Sequence, residues 1–195
     1  PHLYDRREIT FLLRRFPPNG VLVDIGAYIG FWSMLFAYRF PSSTVVAVEA
    51  NPVVYERLLQ NIHMNRFPNV KAINVGAAER EGIFSLSVGN HHNLGSASFV
   101  RRHREGYTVD VPVKKLSDIV LQDAGISSID VLKVDIEGYE TPVLQRFFAD
   151  SPRSLFPKYI CAEITLSPEL PELLSKHGYI PVLRSRENMV FELRS

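Results

Sequence analysis

Cysteine is almost missing from this 195-residue chain: Cys161 stands alone, which excludes an internal disulfide framework and any multi-cysteine zinc site. Neither sign of charge dominates. Lys and Arg number 22 against 21 Asp and Glu, a formal charge of +1, too balanced for a protein that mainly coats nucleic acid or an anionic membrane. No nucleic-acid partner is therefore expected. Long apolar runs are missing too. The longest are strand-sized, well short of the ~20 residues that cross a bilayer. No signal-peptide pattern, internal repeat or low-complexity segment stands out. The length fits one domain over residues 1–195. With 46% hydrophobic and 22% charged residues the composition is ordinarily globular, and a cytoplasmic enzyme or binding domain is the class that remains.

What is present is an alternation of short apolar runs with stretches of helical period. Residues 21–25, 44–49, 70–75, 129–134 and 159–164 read as strands, the second by its β-branched content. Residues 31–40 read as a helix stopped by Pro41-Ser42-Ser43. Residues 52–65 read as another, with Pro52 in the first turn and Val54, Leu58 and Ile62 on one buried face. Helices are also expected over 116–123, from Thr141 as cap with Pro142 at the first position, and over 168–177. Residues 82–88 and 107–113 pair outside the repeat, as an inserted hairpin and polar loop over 82–113. Residues 179–184 and 189–193 form a closing antiparallel pair. Alternating strands and helices give a doubly wound three-layer α/β/α sandwich with a mostly parallel sheet. Its ligands bind beyond the carboxyl ends of the strands, where strand order reverses.

The chemistry-bearing residues stand at those ends. Strand one runs through Asp24-Ile25-Gly26-Ala27-Tyr28-Ile29-Gly30 into a helix. Gly26 permits a tight turn and Gly30 a close helix approach. The dinucleotide fingerprint fails, because Tyr28 and Phe31 stand where it needs its second and third glycines. An acid before the first glycine, with no path for a diphosphate, suits a ligand carrying an ammonium group, such as S-adenosylmethionine; a plain strand-to-helix turn is the simpler alternative. Glu49 ends strand two, where a carboxylate accepts from two vicinal ribose hydroxyls or merely caps the next helix. Asp135 and Glu137 end strand four. A carboxylate there takes a proton from a substrate hydroxyl, holds a cationic cofactor, or only favours a helix dipole. The residues alone leave these readings level.

Val23 to Phe31, Val48-Glu49-Ala50-Asn51-Pro52 and Leu132 to Glu140, in that order and spacing, resemble the FkbM family of S-adenosylmethionine-dependent methyltransferases. Residues 58–65, Gly95-Ser96-Ala97-Ser98, and 111–113 leading to Leu116-Ser117-Asp118 are similar too. The likeness spans roughly residues 21–144, with Glu163 and Gly178 a looser fit. It implies a class I methyltransferase fold, S-adenosylmethionine as cofactor, and an oxygen acceptor on a sugar, glycan or natural product. It also implies cofactor roles for Asp24, Gly26, Ala27, Tyr28, Gly30, Glu49 and Asn51, and a site role for Asp135 and Glu137, with adenine near Gly76 and Ala77. The family usually has Asn where this chain has Tyr28, so a backbone contact survives there and an Asn side-chain contact does not.

The reading is thus an O-methyltransferase with Asp135 as base and His91 or His92 as second choice, the two histidines lying in a loop that covers the acceptor. A non-catalytic adenosyl-ligand or partner-binding module and an NAD-dependent oxidoreductase are its rivals. Arg101, Arg102 and Arg104 read as a solvated charge run rather than an anion site. Asp135, Glu137 and Glu163 are oxygen ligands of the right kind for a divalent metal, but no metal is expected. Cys161, Trp32 and Phe31 read as core.

Overall fold

In the computed structural model, residues 5–89, 97–102 and 106–194 are described. The chain runs α1 (Arg6–Leu13), β1 (Val21–Ile25), α2 (Phe31–Arg39), β2 (Thr44–Val48), α3 (Pro52–Asn65), β3 (Val70–Ile73), β4 (Gly76–Ala78), β5 (Gly82–Val88) and β6 (Tyr107–Lys115). There follow α4 (Leu116–Asp118), β7 (Val131–Val134), α5 (Glu140–Asp150), β8 (Tyr159–Glu163), α6 (Leu170–Lys176), β9 (Tyr179–Arg184) and β10 (Asn188–Leu193).

The main sheet has the order β3-β2-β1-β7-β8-β10-β9. Its first five strands are parallel, and β10 runs antiparallel to both β8 and β9. Strand order reverses at β1, which leads to β2 on one side and lies against β7 on the other, so the crevice that binds ligands opens there. Alternate strand residues serve opposite layers. Leu22, Val45, Val131 and Cys161 pack with Leu12 of α1 and Trp32 and Phe36 of α2. Val23, Ile25, Val46, Leu132 and Val134 pack with Val143, Leu144 and Phe147 of α5. Helices on both faces are why these strands are apolar throughout. On α3, Val54 and Leu58 are fully buried and Ile62 partly, so the four-residue stripe faces inward as its spacing predicts; Leu58 and Ile62 pack with Ala47 of β2, and Val54 with Ala78, Val111 and Val113 of β4 and β6.

Several local expectations need correction. Helix α1 was not anticipated; its buried stripe is Ile9 and Leu12, extended by Phe16, amid arginines. The expected strand over 70–75 is split. It ends at Ile73, and residues 76–78 join a second sheet of order β4-β6-β5. There β5 and β6 pair antiparallel from Gly82↔Val113 to Val88↔Tyr107, while β4 lies parallel to β6. The 116–123 helix is a short α-turn continued by a π-turn over Ile119–Ala124. Thr141 is not a cap: α5 begins at Glu140 with Tyr139 in the cap position, and the Thr141 hydroxyl is buried without a partner. Glu140 has turned inward instead, accepting from the Ile136 and Gly138 amides and from Ser167 Oγ. Phe31 is exposed rather than core, because the first turn of α2 directs Trp32 inward.

Candidate functional site

A cleft of about 550 Å³, measured out to its open mouth, lies over the carboxyl ends of β1, β2 and β7. Three walls meet in it. The loop after β1 supplies Gly26 and Tyr28, and the end of β2 supplies Glu49 and Ala50. The loop after β7 supplies Asp135, Ile136 and Glu137. The second sheet closes the remaining side with Gly76, Ala77 and Leu86, joined by Val75 just before it and by Ala97 and Phe99, in an apolar surface.

The loop after β1 depends on its glycines. Gly26 has φ +76°, and a Cβ there would lie 1.9 Å from the Asp135 carbonyl oxygen, so only glycine lets the β1 and β7 loops touch backbone to backbone. Gly30, at φ +90°, would drive a Cβ to 2.5 Å from Leu58. Its close approach is therefore to α3 rather than to the strand. The amides of Gly26 and Ala27 both donate to Val48 O. Tyr28 has φ +54°, a left-handed backbone that asparagine tolerates better than other side chains. Its amide donates to Glu49 Oε2 at 2.9 Å, and that contact does not depend on the side chain.

Glu49 is buried and faces the cleft. Each carboxylate oxygen accepts one backbone amide, Oε1 from Asn51 at 2.8 Å and Oε2 from Tyr28, which leaves each with accepting capacity. Burial raises its pKa above the usual carboxylate value, against the pull of those two amides. Asn51 caps α3 by accepting from the Val53 amide at 3.1 Å, and its buried Nδ2 has no partner. A buried carboxylate in such an apolar setting fits a nucleoside, whose vicinal hydroxyls complete its hydrogen bonds and whose base suits the apolar wall.

Asp24 is placed differently. It is fully buried behind the β1 loop and does not line the cleft. Ser33 Oγ donates to Oδ2 at 2.7 Å, and Oδ1 lies 3.5 Å from Lys133 Nζ. Lys133 also reaches Asp135 Oδ2 at 3.3 Å, and its ammonium lies over the Trp32 ring at 5.8 Å. Burial alone would lower the lysine pKa, but Asp135 and Asp24 outweigh it and hold the ammonium above its usual value. Trp32 Nε1 donates to Asp5 Oδ2, and Asn188 Nδ2 to Asp5 Oδ1, so the start of α1 is tied to this network.

Asp135 is the more open carboxylate, with a side chain 39% exposed. Glu137 has φ +55° and pairs with Arg101 at 3.5 Å. Its carbonyl accepts from Ser98 Oγ at 2.9 Å. Ser98 Oγ in turn accepts from the amides of Val100 and Arg101, which pins the apolar wall to the β7 loop. Arg101 is thus an ion-pair partner at the site; Arg102 is exposed. Glu163, at the end of β8, has its pKa pushed up to about 7 by burial and then by Asp135, Glu137 and Glu140. Cys161 is buried, and burial raises its thiol pKa well above normal.

Of the expected site residues, the cleft therefore gathers Gly26, Tyr28, Glu49, Gly76, Ala77, Asp135 and Glu137. Asp24, Ala27, Gly30 and Asn51 stand behind it. His91, His92, Gly95, Ser96 and Arg104 lie outside the described residues. Sequence reasoning missed Leu86, Phe99, Ser98 and Lys133. The lysine had a signal, an isolated charge within the apolar run 131–134. Among the described residues no cluster of three or more His, Cys, Asp or Glu side chains could hold a metal ion. No helix among them is long and apolar enough to cross a membrane.

This sheet order, with its cleft over β1, is the class I methyltransferase fold. Precorrin-6y C5,15-methyltransferase from Geobacter metallireducens shares it, with a TM-score of 0.61 at 15% identity over 98% of this chain and 87% of that one. Residues 24–181 match the family described as the methyltransferase FkbM domain, and the chain belongs to that family. It is 30% identical to methyltransferase sdnD of Sordaria araneosa, over 74% of this chain and 64% of that protein. It is 29% identical to 31-O-demethyl-FK506 methyltransferase FkbM of Streptomyces tacrolimicus, over 85% of this chain and 74% of that protein. The chain thus spans under two thirds of sdnD.

Proposed function

We propose that this chain is an S-adenosylmethionine-dependent O-methyltransferase domain acting on a hydroxyl of a sugar, glycan or natural product. The observation that carries the cofactor reading is Glu49, a buried carboxylate that lines the cleft and accepts one backbone amide at each oxygen. An oxygen acceptor is supported by the FkbM relative, whose name describes methylation at an oxygen of FK506.

Glu49 receives the ribose hydroxyls, and Asn51 holds one of its oxygens in place. Val75, Gly76, Ala77, Leu86 and Phe99 enclose the adenine. Gly26 and Ala27, whose amides tie the β1 loop to Val48 O, would border the cofactor's amino-acid end. Asp24 acts from behind, through Ser33 and Lys133, rather than by contact. When bound, the cofactor supplies a methyl group activated by positively charged sulfur. The chain's own part is to align the acceptor, exclude water and receive the hydroxyl proton. Asp135 takes that proton, Lys133 holds it in position, and Glu137 borders the acceptor. His91 and His92 are assigned to the acceptor side.

Calorimetry against S-adenosylmethionine, S-adenosylhomocysteine and NAD, followed by transfer of labelled methyl to hydroxylated glycans and natural products, tests this reading. Binding of both adenosyl compounds but not NAD, with label on an acceptor oxygen, is expected. NAD binding with no adenosyl signal overturns it. Adenosyl binding with no transfer to any acceptor selects a binding module instead.

A further inference from the structure

We propose that the Tyr28 ring is a cation-recognising face in the cleft, and that it reads the positive charge on the methyl donor. The inference rests on the cofactor reading above and assigns that residue a task its backbone does not perform.

The backbone at residue 28 must be left-handed, with φ +54°, because the turn brings its amide onto Glu49 Oε2. Glycine or asparagine meets that demand with the least strain; a bulky aromatic residue meets it at a cost. Nothing in the core repays the cost. The side chain is 39% exposed, and among the described residues it stacks on no other aromatic ring. It does line the cleft, together with Asp135 and Glu137. Gly26, two residues before it, lies against the Asp135 backbone, so the β1 loop that carries Tyr28 abuts the β7 loop that carries these carboxylates. A strained residue kept at a site where its side chain is otherwise idle points to a ligand. Both carboxylates already face cations of this chain, Asp135 facing Lys133 at 3.3 Å and Glu137 facing Arg101 at 3.5 Å, whereas the tyrosine face attracts a further cationic group through the ring quadrupole. The sulfonium of S-adenosylmethionine is such a group; the thioether of S-adenosylhomocysteine is not. Tyr28 therefore contributes to telling donor from product.

Calorimetry of both compounds on the full chain and on Tyr28→Phe, Tyr28→Leu and Tyr28→Asn tests the assignment, with melting curves for each protein. In Tyr28→Leu and Tyr28→Asn, the S-adenosylmethionine to S-adenosylhomocysteine affinity ratio should fall by about 3- to 30-fold. Tyr28→Phe should keep the wild-type ratio. Tyr28→Asn should melt at or above the wild-type temperature, so its loss cannot be put down to misfolding. An unchanged ratio in Tyr28→Leu and Tyr28→Asn, or an equal loss for both compounds, overturns the proposal while leaving the cofactor reading in place. Failure of the wild-type chain to bind either compound overturns both.

Discussion

Two carboxylates end neighbouring strands and meet opposite fates. Asp24 on β1 is sealed away with a lysine of its own chain, at 3.5 Å, and a serine hydroxyl. Glu49, just past β2, is buried almost as deeply, yet its hydrogen-bond partners are backbone amides and it lines the cleft. Asp24 is therefore neutralised from within by Lys133, although its Oδ1 accepts no hydrogen bond among the described residues, whereas Glu49 is held by one backbone amide at each oxygen. An internally paired charge is a framework feature, and its removal costs stability. On the function proposed above, a buried carboxylate with accepting capacity left over is a binding feature, and its removal should cost affinity. Asp135 belongs to both kinds, paired with Lys133 at 3.3 Å but open to the cleft.

The largest expected effect falls on Asp135. Asp135→Asn keeps the shape and much of the cofactor affinity but should lower turnover ~10²–10⁴-fold, the weight of a general base. Near-normal turnover would place the base elsewhere, and His91→Ala and His92→Ala would be the next variants to assay. Lys133→Met comes next. It strands Asp24 in the interior and should cost about 3–5 kcal/mol in urea unfolding. Adding Asp24→Asn should recover much of that loss, since no lone charge is then left buried; no recovery would mean that the two residues are not coupled.

Glu49→Gln sharpens the contrast. Each hydrogen bond from a ribose hydroxyl to the carboxylate is worth about 1.5–3 kcal/mol at most, so S-adenosylmethionine affinity should fall at least tenfold, to about a tenth or less. The stability of the ligand-free chain should move the other way. The raised pKa of Glu49 in the folded chain comes first from burial, so its stabilising effect is complete below the unfolded carboxylate value and is lost as pH rises through the folded one. Above that window Glu49→Gln should melt no lower than wild type. Wild-type affinity should weaken as acid protonates the carboxylate, and the variant's affinity should not. A strong drop in the melting temperature of ligand-free Glu49→Gln with affinity retained would make Glu49 a helix cap.

The smallest effect concerns Glu163. Its pKa is raised to about 7, first by burial and then by neighbouring acids, so the sign is the same: ionisation between the ordinary value and about 7 weakens the fold. Glu163→Gln should raise the melting temperature modestly at pH 8 and leave it unchanged at pH 4. A fall at pH 8 would show that the ionised carboxylate is held by a favourable partner.

The elements most legible in the sequence were those whose pattern is local. β1 and α3 have the anticipated bounds because a continuous apolar run and a proline-started stripe need no distant partner to be recognised. What was missed depended on neighbours. The apolar residues of α1 are flanked by Arg6-Arg7 and Arg14-Arg15, and its buried stripe shows only as Ile9 and Leu12 at a three-residue step. The third strand ends early because Asn74 turns its amide back onto the carbonyls of Glu49 and Ala50, which frees residues 76–78 for the second sheet. Thr141 has the right chemistry for a cap, but Glu140 takes the inward position and satisfies the loop amides itself.

By itself the sequence determined the alternation of strands and helices, the glycine turn after β1, and the placing of acids at three strand ends. These follow from local apolar period and from the few residues a tight turn admits. Only the tertiary structure decided what each acid does. Asp24 and Lys133 are 109 positions apart, yet they are register partners across β1 and β7. Side chains at paired positions of parallel strands project to the same face, so the lysine falls on Asp24 and not on Glu49. The cation that removes Asp24 from the cleft is supplied by strand register, which no single stretch of sequence encodes.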